Sequence, residues 1–187
     1  MRPFVFLLLT LMLSACAKPP AQVILSPTMI QPTIIQKNQG SFDLQVVDNR
    51  NYRHILQMNN GATQQSLVNA NQQPTQLVSE ALKQSFSHQG YDFSPTATVV
   101  MTVEIEQMLI TLNQQSIKYD ANNNIVLNII IGNNNKTLTK KFNISGQSYG
   151  PFSADVAVLE RIFNQQLGEL ISKIAADDEV HQFLKVQ

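Results

Sequence analysis

The chain has a single cysteine, Cys16. A disulfide within the chain is therefore excluded, and so is a zinc site built from several thiolates. Excess charge is absent too: 13 Lys and Arg stand against 13 Asp and Glu. Neither a basic face for nucleic acid nor a polybasic run for anionic lipid follows from that balance. The seven glycines are scattered, which leaves no Gly-rich loop to cradle a phosphate. No Gly-x-Ser-x-Gly elbow presents a nucleophile either. The three histidines, His54, His88 and His181, have no metal-ligand spacing. Their settings are a polar loop, a helix end and a short terminal helix, which predict solvent exposure. No cofactor and no metal are expected.

An apolar run long enough to cross a membrane is also missing. Phe4 to Leu13 is apolar apart from Thr10, whereas a helix needs about 20 residues to span a core of ~30 Å. A short run behind Met1-Arg2, followed by the small Ser14 and Ala15, is the pattern of a cleaved secretory leader. Leu13-Ser14-Ala15-Cys16 resembles the bacterial lipobox. That resemblance implies cleavage between Ala15 and Cys16, a diacylglyceryl group on the Cys16 thiol and an acyl group on its freed amine. Each buried CH₂ contributes about 0.8 kcal/mol, and two chains suffice for stable attachment. Ala17 and Lys18 stand where an Asp would resemble an inner-membrane retention signal, which implies release to the outer membrane.

What remains after the leader is one domain's worth of chain. Asn and Gln make up roughly a fifth of the sequence, well above ordinary usage, with Asn-Asn-Asn at 122–124 and 133–135. Apolar runs interrupt the polar ones regularly, so these amides read as uncharged surface of a folded domain. The expected organisation is a signal peptide over 1–15, a lipidated N-terminus and tether with a short edge strand over 16–40, and one periplasmic α+β domain over 41–187. Lys18-Pro19-Pro20 favours an extended tether, and Val23-Ile24-Leu25 is the strand candidate within it.

Period-2 alternation of Phe42, Leu44 and Val46 predicts a strand over 41–48. Pro74 and Gly90 bracket a helix whose apolar face is Leu77, Val78, Ala81, Leu82 and Phe86. Residues 97–148 read as a meander, with a bulge near Gln107 where the apolar set changes face. A second helix is expected over 153–175, capped by Ser153. Asp177-Asp178-Glu179 opens a last short helix, where the helix dipole favours acids. The expected fold class is α+β: a mostly antiparallel β-meander sheet with two longer helices on one face and a short C-terminal helix.

Two polar groupings could carry chemistry. Glu104 and Glu106 share one face of a strand, and paired carboxylates can do acid–base work on glycans; two acids on a wet sheet face are the commoner arrangement. Asp48-Asn49-Arg50 ends a strand, where Asp48 and Arg50 can pair with each other or with a loop, or hold a ligand.

Several short motifs, in order and spacing, resemble the YajG-like family of bacterial lipoproteins. They are Cys16-Ala17-Lys18-Pro19-Pro20, Leu25-Ser26-Pro27, Val46-Val47-Asp48-Asn49-Arg50, Gln89-Gly90-Tyr91 and His181-Gln182-Phe183-Leu184-Lys185. The likeness covers nearly the whole chain and implies an envelope lipoprotein without an assigned activity, so it carries over no catalytic residues. The leading expectation is a non-enzymatic module, held to the membrane by its lipid anchor, that binds an envelope protein partner through an open sheet face or an edge strand around 23–35. The alternatives are a cell-wall or glycan-acting enzyme using Glu104 and Glu106, and a lipid carrier with a cavity between the second helix and the sheet.

Overall fold

A computed structural model describes residues 22–29, 40–61, 64–133 and 136–185. Its strands are β1 (Gly40–Asp48), β2 (Leu56–Asn60), β3 (Gln64–Val68), β4 (Tyr91–Phe93), β5 (Val99–Gln114), β6 (Lys118–Asn133) and β7 (Lys136–Pro151). Its helices are α1 (Pro74–His88), α2 (Val156–Ala175) and α3 (Asp178–Leu184). The signal peptide expected over 1–15, with Ala15, and the residues Cys16, Ala17 and Lys18 lie outside the described residues.

The long strands β5, β6 and β7 form an antiparallel meander, in register from Val99↔Asn133 and from Lys118↔Pro151. The register slips between Ile105 and Gln107, at the predicted bulge. The extra residue puts Gln107 outside and keeps Ile105 and Met108 both in the core. One apolar face thus runs the length of β5, which a strict alternation could not supply from this sequence.

The sheet as a whole is mixed, which corrects the expected mostly antiparallel meander. β1 is parallel to β5 from Asp43↔Val100 to Asp48↔Ile105, and parallel to β4 from Gly40↔Tyr91. β2 is parallel to β5 from Leu56↔Ile110 to Asn60↔Gln114, while β3 pairs antiparallel with β2. β1 and β2 therefore share one edge of β5 end to end. Between them the chain leaves the ladder, re-entering where Ile110 N–H donates to Ile55 O at 2.7 Å. Alternation assigns faces to strands; it carries no information on which strand lies beside which, or in which direction.

α1 packs on β1 and β4, α2 on β6 and β7, and α3 on β6 and β1. Pro74 stands in the first turn of α1, and Gly90 follows its end with φ 87°, the left-handed conformation glycine accepts without a Cβ clash. Phe42 anchors this corner edge-on to Phe86, Tyr91 and Phe93, at centroid distances of 5.4, 5.7 and 5.0 Å. The cap of α2 is Asp155, which accepts from Ala157 N–H at 2.9 Å, and not Ser153. Asp177 caps α3, accepting from Val180 N–H, and also pairs with Lys140 at 2.8 Å.

The folded body begins earlier than residue 41. Val23 and Leu25 are fully buried, and Val23 makes a parallel bridge to Ala70. Ile24 N–H donates to Glu160 Oε2 at 2.9 Å, and Ser26 N–H to Asn164 Oδ1 at 2.7 Å. Thr28 lays its carbonyl against Gly168 of α2, where a Cβ would collide with it. Residues 22–29 are thus a strap along α2 and part of the core, although the sequence placed them in the tether.

At the far end of β5, Gln114 fastens two connections together. Its Nε2 donates to the carbonyls of Gln115 and Phe152, and its Oε1 accepts from Ala154 N–H. Phe152 is held there with φ 63°, the one non-glycine residue among those described in the left-handed region. Such a conformation costs on the order of 1–3 kcal/mol and persists only where the surroundings enforce it. No described helix is long and apolar enough to cross a membrane.

Candidate functional site

The gap between β1 and β2 along β5 coincides with the bulge, and a site is built there. Asp48, the last residue of β1, receives Arg50 in a bidentate pair: Nε to Oδ1 at 2.8 Å and Nη2 to Oδ2 at 2.9 Å. Arg53 adds a third bond to Oδ2 at 3.2 Å. The Arg50 side chain is 3% exposed, that of Arg53 79%. Sequence reasoning proposed the Asp48–Arg50 pair, and the structure brings the two together. The hydrogen bond from Arg50 holds the Asp48 carboxyl below the usual range; partial burial opposes this, and the charges of Arg50 and Arg53 reinforce it.

Arg50 is not fully satisfied by Asp48. Its Nη1 is buried and has no hydrogen-bond partner among the described residues, and the same holds for Nε2 of His54. Leaving such groups unpaired costs roughly 1–3 kcal/mol each, more for a charged one. Both residues line a cavity of about 230 Å³ with Tyr52, Glu106, Gln107, Met108, Leu109 and Val126. Tyr52 is 64% exposed, and its ring lies 5.5 Å from that of His54. The site therefore offers an unpaired guanidinium nitrogen, an imidazole nitrogen, an accessible aromatic face and an apolar floor. That set can bind a group with acceptor atoms. Among the described residues that line it, no nucleophile is hydrogen-bonded to a base.

His54 is the residue that sequence reasoning missed, because exposure was expected and the side chain is buried. A hint stood beside it: Ile55-Leu56, fully buried, marks the return of the chain to the sheet. His181 departs from the same expectation. It stacks on Tyr91, and its Nε2 lies 2.9 Å from the Ala175 carbonyl. A carbonyl only accepts, so Nε2 is the donor of that bond, and Nδ1 lies 2.8 Å from the Tyr91 hydroxyl. Burial pushes the Tyr91 phenol up to about 12. His88 is exposed, as its position predicted.

Glu104 and Glu106 share a face of β5 but not a site. Glu104 accepts from Asn49 at 3.1 Å and from Asn128 at 2.9 Å, whereas Glu106 pairs with Lys141 at 2.8 Å. Glu106 lines the cavity and Glu104 does not. Among the described residues, no three His, Cys, Asp or Glu side chains are grouped to hold a metal ion. A cavity between α2 and the sheet measures about 50 Å³ and is lined in part by Asn122, Asn123, Gln147 and Gln166. At about 30 Å³ of liquid per water, it has room for one or two waters and not for an acyl chain.

Comparisons with known proteins agree with this architecture. The model of a family described as uncharacterized lipoprotein matches residues 27–185. The uncharacterized lipoprotein YajG of Escherichia coli strain K12 is 24% identical over 176 residues, covering 93% of this chain and 91% of its own. A solved structure from Xanthomonas campestris superposes with a TM-score of 0.55 at 14% identity, over 81% of this chain and 91% of that one. A second, described as an uncharacterized protein, gives 0.50 at 10% identity over 83% and 97%. The solved structures share the fold; at these identities they say nothing of activity.

Proposed function

We propose that this chain, which belongs to the family of uncharacterized lipoproteins, is a non-enzymatic binding module anchored to the periplasmic face of the outer membrane. Leu13-Ser14-Ala15-Cys16 supports the anchor, and Ala17-Lys18 supports the choice of membrane. The observation that carries the binding role is the pair of buried, unpartnered nitrogens on Arg50 and His54 beside one cavity. A bound group that accepts from Arg50 removes a desolvation cost the free protein carries, and that difference is binding free energy.

The anchor is tested by labelled palmitate: incorporation should occur in the natural protein and be lost in Cys16→Ser. The binding role is tested by complementation in a deletion strain with an envelope phenotype. Glu104→Gln should restore function, since Glu104 lies off the cavity and is bonded to Asn49 and Asn128, whereas a pair of catalytic carboxylates would lose one member. Tyr52→Ser should fail at normal protein levels, since it removes the accessible ring of the site. The reverse pattern would establish the glycan-acting enzyme instead.

A further inference from the structure

One end of the domain displays a cluster that folding does not explain. Ile117, Tyr149 and Phe152 are 73%, 80% and 73% exposed. They sit together where β6 begins and β7 ends: Lys118 pairs with Pro151, and Phe152 N–H donates to Ile117 O at 2.8 Å. The Phe152 ring gains nothing from the core, yet its backbone is held in the left-handed region by Gln114. A glycine would take that φ without strain, so the aromatic side chain is the feature to be accounted for.

The position of the anchor supplies the account. Val23 runs parallel to the chain leaving β3, through its bridge to Ala70. Gln64, six residues before Ala70, pairs through Asn60 with Gln114 at the exposed end. At about 3.3 Å per residue, that end lies roughly 20 Å back from Val23. α2 gives the same direction. It starts just after Phe152, and its Glu160, Asn164 and Gly168 meet Ile24, Ser26 and Thr28 in turn. The strap therefore enters from the side of Ile117, Tyr149 and Phe152. Six residues lie between Cys16 and Val23, so the seven steps from one to the other reach at most about 25 Å.

We propose that the end carrying Ile117, Tyr149 and Phe152 rests in the interfacial layer of the bilayer that holds Cys16. The proposal rests on the lipid-anchor reading. A short tether keeps this end close to the surface, so even weak partitioning of two aromatic rings and an isoleucine acts at high effective concentration. Aromatic rings favour the headgroup level of a membrane. The contact fixes the orientation of the domain, with β5, β6 and β7 rising from the surface.

The sequence has no tryptophan, which makes a single introduced indole an unambiguous reporter. Lipidated Phe152→Trp and Tyr52→Trp proteins would be reconstituted into phosphatidylethanolamine–phosphatidylglycerol vesicles, with and without brominated acyl chains. The expected result is emission from position 152 quenched several-fold more than emission from position 52. Equal or absent quenching in protein that floats with the vesicles overturns the proposal and leaves the anchor standing. Protein that fails to float overturns the anchor reading and this inference together. A shift at position 152 that follows protein concentration instead of lipid assigns the patch to a second copy of the chain and also overturns it.

Discussion

Replacing Gly168 with alanine is expected to detach the strap over residues 22–29 and destabilise the domain by about 3–6 kcal/mol. Two effects oppose each other at this position. Alanine inside a helix is better than glycine by about 1 kcal/mol, so an isolated α2 would gain. The added Cβ, however, meets the backbone carbonyl of Thr28, which cannot swing aside as a side chain could. Displacing the strap exposes Val23 and Leu25, both fully buried, at about 1.5–3 kcal/mol each. It also breaks the bonds of Ile24 and Ser26 to Glu160 and Asn164. Packing therefore outweighs propensity. Urea unfolding checks the magnitude, and limited proteolysis checks the mechanism, because cleavage near residues 22–29 should accelerate ahead of global unfolding. A variant as stable as the natural protein, or more so, would show that the strap contributes little.

The second large effect concerns Asp48. Asp48→Asn is expected to cost about 3 kcal/mol at neutral pH, the low end for breaking a buried ion pair, because the amide oxygen still accepts one bond from Arg50. Arg53→Ala should cost less than about 1 kcal/mol, since that side chain is 79% exposed and its pair is screened. Asp48→Ala/Arg50→Met should recover most of the loss, because an apolar pair leaves no buried charge behind. The pH dependence has a definite sign. Hydrogen bonding and charge from Arg50 lower the folded-state pKa of Asp48 below its unfolded value of 3.8. Its contribution is therefore complete above the unfolded value and disappears as pH falls through the folded one. Asp48→Asn should accordingly show a shallower loss of stability on the acid side. An unchanged acid limb would mean that Asp48 and Arg50 are already apart in solution.

The local pattern made several elements legible. Pro74 and Gly90 bracketed α1 because each has a backbone requirement that few other residues share. The bulge at Gln107 could be read because one extra residue inverts the face of every apolar side chain after it. The Asp48–Arg50 pair was visible through proximity in sequence. The cap of α2 was misplaced from Asp155 to Ser153 because both residue types can cap a helix and only backbone geometry chooses between them. The exposure expected of His54 failed for a deeper reason: a polar stretch in sequence can still be folded against a sheet edge.

The sequence by itself determined that the chain has one cysteine and so no disulfide within it, and which faces of the strands and helices are apolar. Those properties follow from residue identity and from periods of 2 and 3.6. Only the tertiary structure decided that β1 and β2 share an edge of β5 in parallel and that residues 22–29 lie along α2. The same holds for the unpaired Arg50 and His54 meeting at the bulge, and for Ile117, Tyr149 and Phe152 gathering where β6 begins and β7 ends. Each of these is a long-range pairing. Its free energy comes from two segments fitting one another, and neither segment records its partner in its own pattern.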